Sequence, residues 1–224
     1  MNAQEQITRI RVEYTKGKDL RFTGHLDMQR IWERLLRRSG LPVRYSQGYH
    51  PRTRLNLASA LPLGFTSDSE LLDFWMDEQR PPEEIHTRLS AAALPELTII
   101  SVQSVDLRED ALQVQMTAAE YTVSFFEPQD EALLKNKAAA LLSQKEITRT
   151  RRKKTYDLRP LILRLEVING NEGEPSLRMR LRAEPGATGR PDEVMDALGF
   201  SNTDTLIQRT KLLLKSADQT GNKN

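Results

Sequence analysis

The chain has 224 residues, of which 38% are hydrophobic and 29% charged, with a formal net charge of +2 and no cysteine. That length suffices for one large or two small domains, and the missing cysteine excludes disulfides, thiolate metal ligands, cysteine nucleophiles and any iron–sulfur cluster held by the chain's own thiolates. No apolar run approaches the roughly 20 residues that cross a bilayer, and residues 1–6 lack the basic-then-apolar order of a secretory signal, so a cytoplasmic protein with no membrane partner is expected.

In chain order, residues 7–14 alternate β-favouring and polar side chains and run into Lys16, Gly17 and Lys18, which predicts a strand ending in a loop. A helix follows. Thr23 is placed to cap it, Asp27 lies in its first turn, Met28, Ile31, Trp32, Leu35 and Leu36 share one face, and Gly40 and Pro42 end it. After a loop with Gly48 and Pro51, residues 55–61 and 70–76 read as two strands joined around Pro62 and Gly64. Pro81 and Pro82 with two glutamates open a second helix, and residues 97–102 supply a fourth strand. The order is βαββαβ. It recurs loosely in the second half: a strand at 121–126, a helix at 130–142, strands at 147–150, 161–167 and 176–181, a short helix at 192–198 and a closing apolar segment at 205–214. The expected fold is α+β, two ferredoxin-like halves with antiparallel sheets spanning 1–108 and 109–215, followed by a polar, disordered tail at 216–224.

The net charge is small, so a polyanion-binding role depends on where the cations lie. On the first helix Arg30, Arg34, Arg37 and Arg38 follow the i, i+4, i+7, i+8 spacing and line the face opposite Trp32. Lys16, Lys18 and Arg21 precede them, and Arg44, His50, Arg52 and Arg54 follow. The competing reading is an ordinary solvated face, with Glu33 paired to Arg37 or Arg38. A second cluster, Arg149, Arg151, Arg152, Lys153 and Lys154, stands just before Tyr156 and Arg159; as a hairpin arm it suits a nucleic-acid backbone, and as a sheet edge it blocks aggregation.

The segment SQGYHPR at 46–52 joins Gln47, a flexible glycine, the stacking ring of Tyr49, the imidazole of His50 and the guanidinium of Arg52, which is the composition of a binding loop; the alternative is a plain turn with Tyr49 packed inward. His25 and Asp27 form the only close imidazole–carboxylate pair, but their i, i+2 spacing turns them apart and assigns them to the helix start. His86 has no histidine at helical spacing, so no metal site is expected. The glycines at 186 and 189 lack the lysine and flanking strand of a phosphate loop and read as a turn.

Together RFTGHLD (21–27), RRSGLP (37–42), SQGYHPR (46–52), ALPLG (60–64), YDLRP (156–160), RPDEV (190–194) and ALG (197–199) resemble the radical SAM-linked family of uncharacterised proteins, DUF2344. His50 stands where that family's loop is expected to carry asparagine. The resemblance implies association, by fusion or gene neighbourhood, with a radical SAM enzyme, often of a cobalamin-binding type. A radical SAM cluster needs three thiolates and this chain has none, so no cofactor is expected on it; the 4Fe-4S cluster, S-adenosylmethionine and cobalamin would belong to the partner. The resulting expectation is an accessory protein that binds RNA, tRNA in particular, through the cations of both halves. Two other expectations stay open. One is an RNA-modifying enzyme resembling pseudouridine synthases, with Asp27 or His50 as acid or base; the other is a subunit that only docks on the radical SAM enzyme.

Overall fold

The computed structural model describes residues 7–151, 153–170 and 173–215. The expected tail at 216–224 and the expected binding residue Arg152 lie outside them. The chain divides into two compact units, Met1–Val114 and Gln115–Asn224, a boundary slightly later than the one read from the sequence.

The first unit contains β1 (Thr8–Lys16), α1 (His25–Arg38), β2 (Leu55–Leu57), β3 (Thr66–Met76), α2 (Pro82–Ala92) and β4 (Ile99–Val105). Its strands pair antiparallel in the order β4-β1-β3-β2. Strand alternation divides β1 and β3 into two faces. Ile10 stands across from Phe74 and Val12 from Leu72, and this row packs in one core with Trp32, Leu35 and Leu36 of α1 and Ile85 and Leu89 of α2. Trp32 meets Tyr14 edge-on, with ring centroids 4.8 Å apart.

Arg9 and Arg11 are buried on the side away from the helices, together with Asp73. The Asp73 carboxylate accepts from Arg9 Nη2 at 2.6 Å and from Arg11 Nε at 2.8 Å, while Arg9 also donates to the carbonyls of Glu109 and Asp110. Each buried charge is thereby both paired and hydrogen-bonded, the condition under which burial is tolerated.

α1 begins one residue later than the sequence suggests. Its N-cap is Gly24, with no side-chain cap, rather than Thr23. Gly40, at φ +66, follows the helix end in the left-handed conformation that glycine adopts without strain. The expected strand at 55–61 shortens to β2, whose pairing with β3 runs from Leu55 to Leu57, and β3 starts earlier, at Thr66.

One helical turn, α3 (Leu112–Gln115), leads in sequence to the second unit: β5 (Met116–Phe125), α4 (Glu131–Ser143), β6 (Thr148–Arg151), β7 (Lys154–Asp157), β8 (Ile162–Asn169), β9 (Pro175–Glu184), β10 (Ala187–Thr188), α5 (Pro191–Ala197) and β11 (Thr205–Leu214). β11, β5, β9 and β8 pair antiparallel in that order. With the insertions set aside, this is the βαββαβ strand order of the first unit, so the α+β class and the antiparallel pairing expected of ferredoxin-like halves are found in each unit. The strand read at 147–150 is found one residue later, as β6. Among the described residues β6 pairs with β7 alone, in a two-stranded sheet separate from the larger one.

Candidate functional site

The loop at 46–52 is the most exposed aromatic-bearing segment of the first unit. Tyr45 and Thr53 bridge its base. The Ser46 amide donates to the Arg52 carbonyl at 2.8 Å, and the Arg52 amide donates to Ser46 Oγ at 3.0 Å. Those bonds close the loop and leave its tip to solvent: Tyr49 is 102% exposed, against the reading in which it packs inward. Gly48 at φ +134 is in a region that side-chain-bearing residues rarely enter, so this glycine is what lets the chain turn there. Gln47, His50 and Arg52 are exposed around the ring. Base stacking needs such a ring, held in place and free on its face.

The expected cations of the first unit separate by role. Arg34 and Arg37 are exposed on α1 and make no ion pair among the described residues. Glu33 accepts from Gln29 and not from either arginine. Arg30 pairs with Asp27 at 3.1 Å, both well exposed, and Arg38 donates to the Ala92 carbonyl. Arg44 is tied to Asp77 at 2.6 Å, which makes it a brace of the loop's base. Arg21 lies over the exposed ring of Phe22, 4.8 Å from its centroid. Lys18 is exposed. Lys16 is not a surface cation: it is 2% exposed and donates to the Thr23 carbonyl at 3.1 Å.

Burial of Lys16 points to a feature that the sequence pattern does not announce. The helix-facing row of β1 and β3 is apolar through Val12 and Leu72 and becomes ionisable toward the start of α1, where Tyr14 stands across from Glu70. Tyr14, Lys16, Thr23, His25, Ser59 and Glu70 line a small cavity of about 10 Å³, room for about one water. Glu70 is 4% exposed. Buried lysine and glutamate on one cavity wall are rare unless structure or function requires them. One signal was available: on the alternating row Glu70, Leu72, Phe74, Met76, only Glu70 is charged. Of the two candidate acid–base residues, Asp27 is engaged by Arg30 and His50 lies on the open loop.

In the second unit Arg149 and Arg151 lie on β6 and Lys154 on β7, with Arg151 across from Lys154. Arg149 is not available to a ligand, because Glu193 and Asp196 of α5 hold it. Arg159 is structural as well: it donates to the carbonyls of Leu142 and Ile162. Arg151, Lys153 and Lys154 have no carboxylate partner among the described residues. Lys153 adopts φ +66, a conformation usually left to glycine or asparagine, at the tip of the hairpin. Burial, with Glu193 nearby, pushes the Tyr156 phenol above its ordinary value. Among the described residues no group of three or more His, Cys, Asp or Glu is placed to hold a metal ion, and no helix is long and apolar enough to cross a membrane.

No curated protein matches the chain. One solved structure similar to it is described as "Structure of H/ACA RNP bound to a substrate RNA containing 2'-deoxyuridine"; the two are 10% identical with a TM-score of 0.43, and the match covers 92% of this chain and 47% of that one. The present chain therefore spans about half the length of that relative. The sequence profile described as "Uncharacterized protein conserved in bacteria (DUF2344)" matches residues 9–191, most of the chain and all of the motifs from RFTGHLD to the proline that opens α5, and the chain belongs to that family.

Proposed function

We propose that the protein is an accessory RNA-binding module, with tRNA as the RNA class expected, that works beside a radical SAM enzyme supplying the cluster chemistry this chain has no cysteines to support. The observation that carries this reading is Tyr49: a fully exposed ring on a loop closed by backbone hydrogen bonds, with Arg52 on the same loop and the unpaired Arg34 and Arg37 on α1 of the same unit. Phosphates are held by cations in any sequence, and a ring stacks on any base, so the expected recognition is of single-stranded or looped RNA by shape and backbone. The uncapped start of α1 adds backbone amides at the positive end of a 14-residue helix.

The test is binding of the purified chain to unfractionated tRNA by fluorescence anisotropy at two salt concentrations. Binding should weaken steeply with salt, and Tyr49→Ala should lower affinity by about 1–3 kcal/mol, the range for one stacked base, without changing thermal stability. Absence of any RNA affinity at low salt would overturn the proposal. If the chain instead co-purifies with the radical SAM enzyme through an interface that resists nuclease but fails on charge reversal of Arg34 and Arg37, the docking-subunit reading replaces it.

Catalysis on RNA is the second reading, and the buried Glu70 and Lys16 beside His25 are what favour it. Under it, Glu70→Gln abolishes modification of a bound RNA while leaving the affinity for that RNA unchanged.

A further inference from the structure

The second unit contains a cavity that the RNA-binding proposal does not use. It measures about 490 Å³ and is lined by Arg151, Lys154, Tyr156, Leu161, Ala187 and Arg190, with Asp157, Gly186 and Thr188 completing the wall. That volume falls within the range of small-ligand sites, roughly 300–1,000 Å³. Two antiparallel turns shape its sides. On one, β6 and β7 hold Arg151 directly across from Lys154. On the other, Pro185 and Gly186, the latter at φ +81, make the tight turn between β9 and β10, which the Ala187–Glu184 pairing closes.

The charges in the lining are unequal. Three side chains are cationic and one, Asp157, is acidic; its Oδ1 is occupied by the amides of Ile147 and Arg159. Arg151 and Lys154 have no carboxylate partner among the described residues, although Arg149 two positions earlier on the same strand takes two. Arg190 shares Asp192 Oδ2 at 2.5 Å, yet Arg190 Nε and Asp192 Oδ1 are both buried with no hydrogen-bond partner. Beside the cations, Tyr156, Leu161 and Ala187 provide an aromatic and apolar wall.

From this juxtaposition we propose that the cavity between the β6–β7 hairpin and the β9–β10 turn binds a nucleoside monophosphate, with the phosphate on Arg151 and Lys154 and the base or sugar against Tyr156. Guanidinium and ammonium groups at close quarters favour a phosphate monoester dianion, and a tyrosine face accepts any base. The same chemistry is carried by a free nucleotide and by the 5′-phosphorylated end of an RNA. None of these residues belongs to the RNA surface proposed on the first unit, so the two sites stand or fall separately.

The experiment titrates the full chain with adenosine 5′-monophosphate, adenosine and inorganic phosphate by calorimetry, and then compares 5′-phosphorylated and 5′-hydroxyl forms of one short RNA. The monophosphate should bind more tightly than either of its parts. The double variant Arg151→Ala, Lys154→Ala should weaken it at least about tenfold, with unchanged circular dichroism, while Lys145→Ala, an exposed cation outside the cavity, leaves it unaltered. Preference for the 5′-phosphorylated RNA that the double variant abolishes assigns the site to an RNA end; nucleotide binding without that preference assigns it to a free nucleotide. No saturable binding of the monophosphate in the millimolar range, or binding that the double variant does not change, overturns the inference. Tyr49→Ala should leave nucleotide affinity intact, so failure of the first-unit proposal is read separately.

Discussion

The two units place a helix after their first strand, and the two helices begin differently. α4 is closed at its start: Asp130 caps it, accepting from the Leu133 amide at 2.8 Å, and Glu131 pairs with Lys135 one turn on. α1 has glycine at the same position with no side-chain cap, and its outer face is a row of arginines. A cap satisfies one of the four orphan amides of a helix start, and a helix that lacks one leaves them for solvent or an anion. In the second unit that position serves stability. In the first unit it is left uncapped, on a helix whose outer face carries exposed cations.

That contrast can be broken at several points. The largest effect should come from Trp32→Ala, which removes the fully buried ring that anchors α1; a loss of about 3–5 kcal/mol in urea denaturation is expected, with RNA binding lost alongside. Charge reversal of Arg34 and Arg37 should leave stability within about 0.5 kcal/mol and weaken tRNA binding, with the salt slope falling by about one unit for each phosphate no longer held. Asp130→Ala should cost about 1 kcal/mol of thermal stability and nothing in RNA affinity. Gly24→Ser adds the missing cap where its Cβ has ordinary room, 3.6 Å from Asp27 Oδ2. It should gain only a few tenths of a kcal/mol, and a simultaneous loss of RNA affinity would place phosphate at the helix start.

How legible the molecule is in its sequence depends on whether a residue's role is set by its neighbours in the chain or by those across the sheet. α1 is readable because Met28, Trp32, Leu35 and Leu36 repeat with the helix period, and Gly40 marks its end. The 46–52 loop is readable from its composition, since glycine, proline and polar residues specify turns locally. Lys16, Arg44, Arg149 and Arg159 read as surface cations and are not. Each is held by a group distant in sequence or by the chain's own carbonyls: Thr23 for Lys16, Asp77 for Arg44, Glu193 for Arg149 and Leu142 for Arg159. Local pattern does not encode those partners. Glu70 is hidden for the same reason, as its companions on the cavity wall come from β1, α1 and the segment after β2. The first arm of the β6–β7 hairpin reads as a strand, but alternation reports an extended backbone and not which strand it pairs with.

The buried Arg9, Arg11 and Asp73 cluster carries a consequence for how the first unit assembles. Asp73 stands across from Arg11 with Arg9 two residues along the same strand, so this alignment of β1 on β3 gives the carboxylate both guanidiniums. Slippage by one residue would thrust Asp73 in among the core neighbours of Leu72 and Phe74, and slippage by two in one direction would set it against Glu13. The apolar row Ile10, Val12, Leu72, Phe74 would tolerate a two-residue offset with little loss, being hydrophobic at successive steps. The ionic cluster thus makes the one-residue slip, and the two-residue slip toward Glu13, costly where the apolar row alone would not oppose the latter.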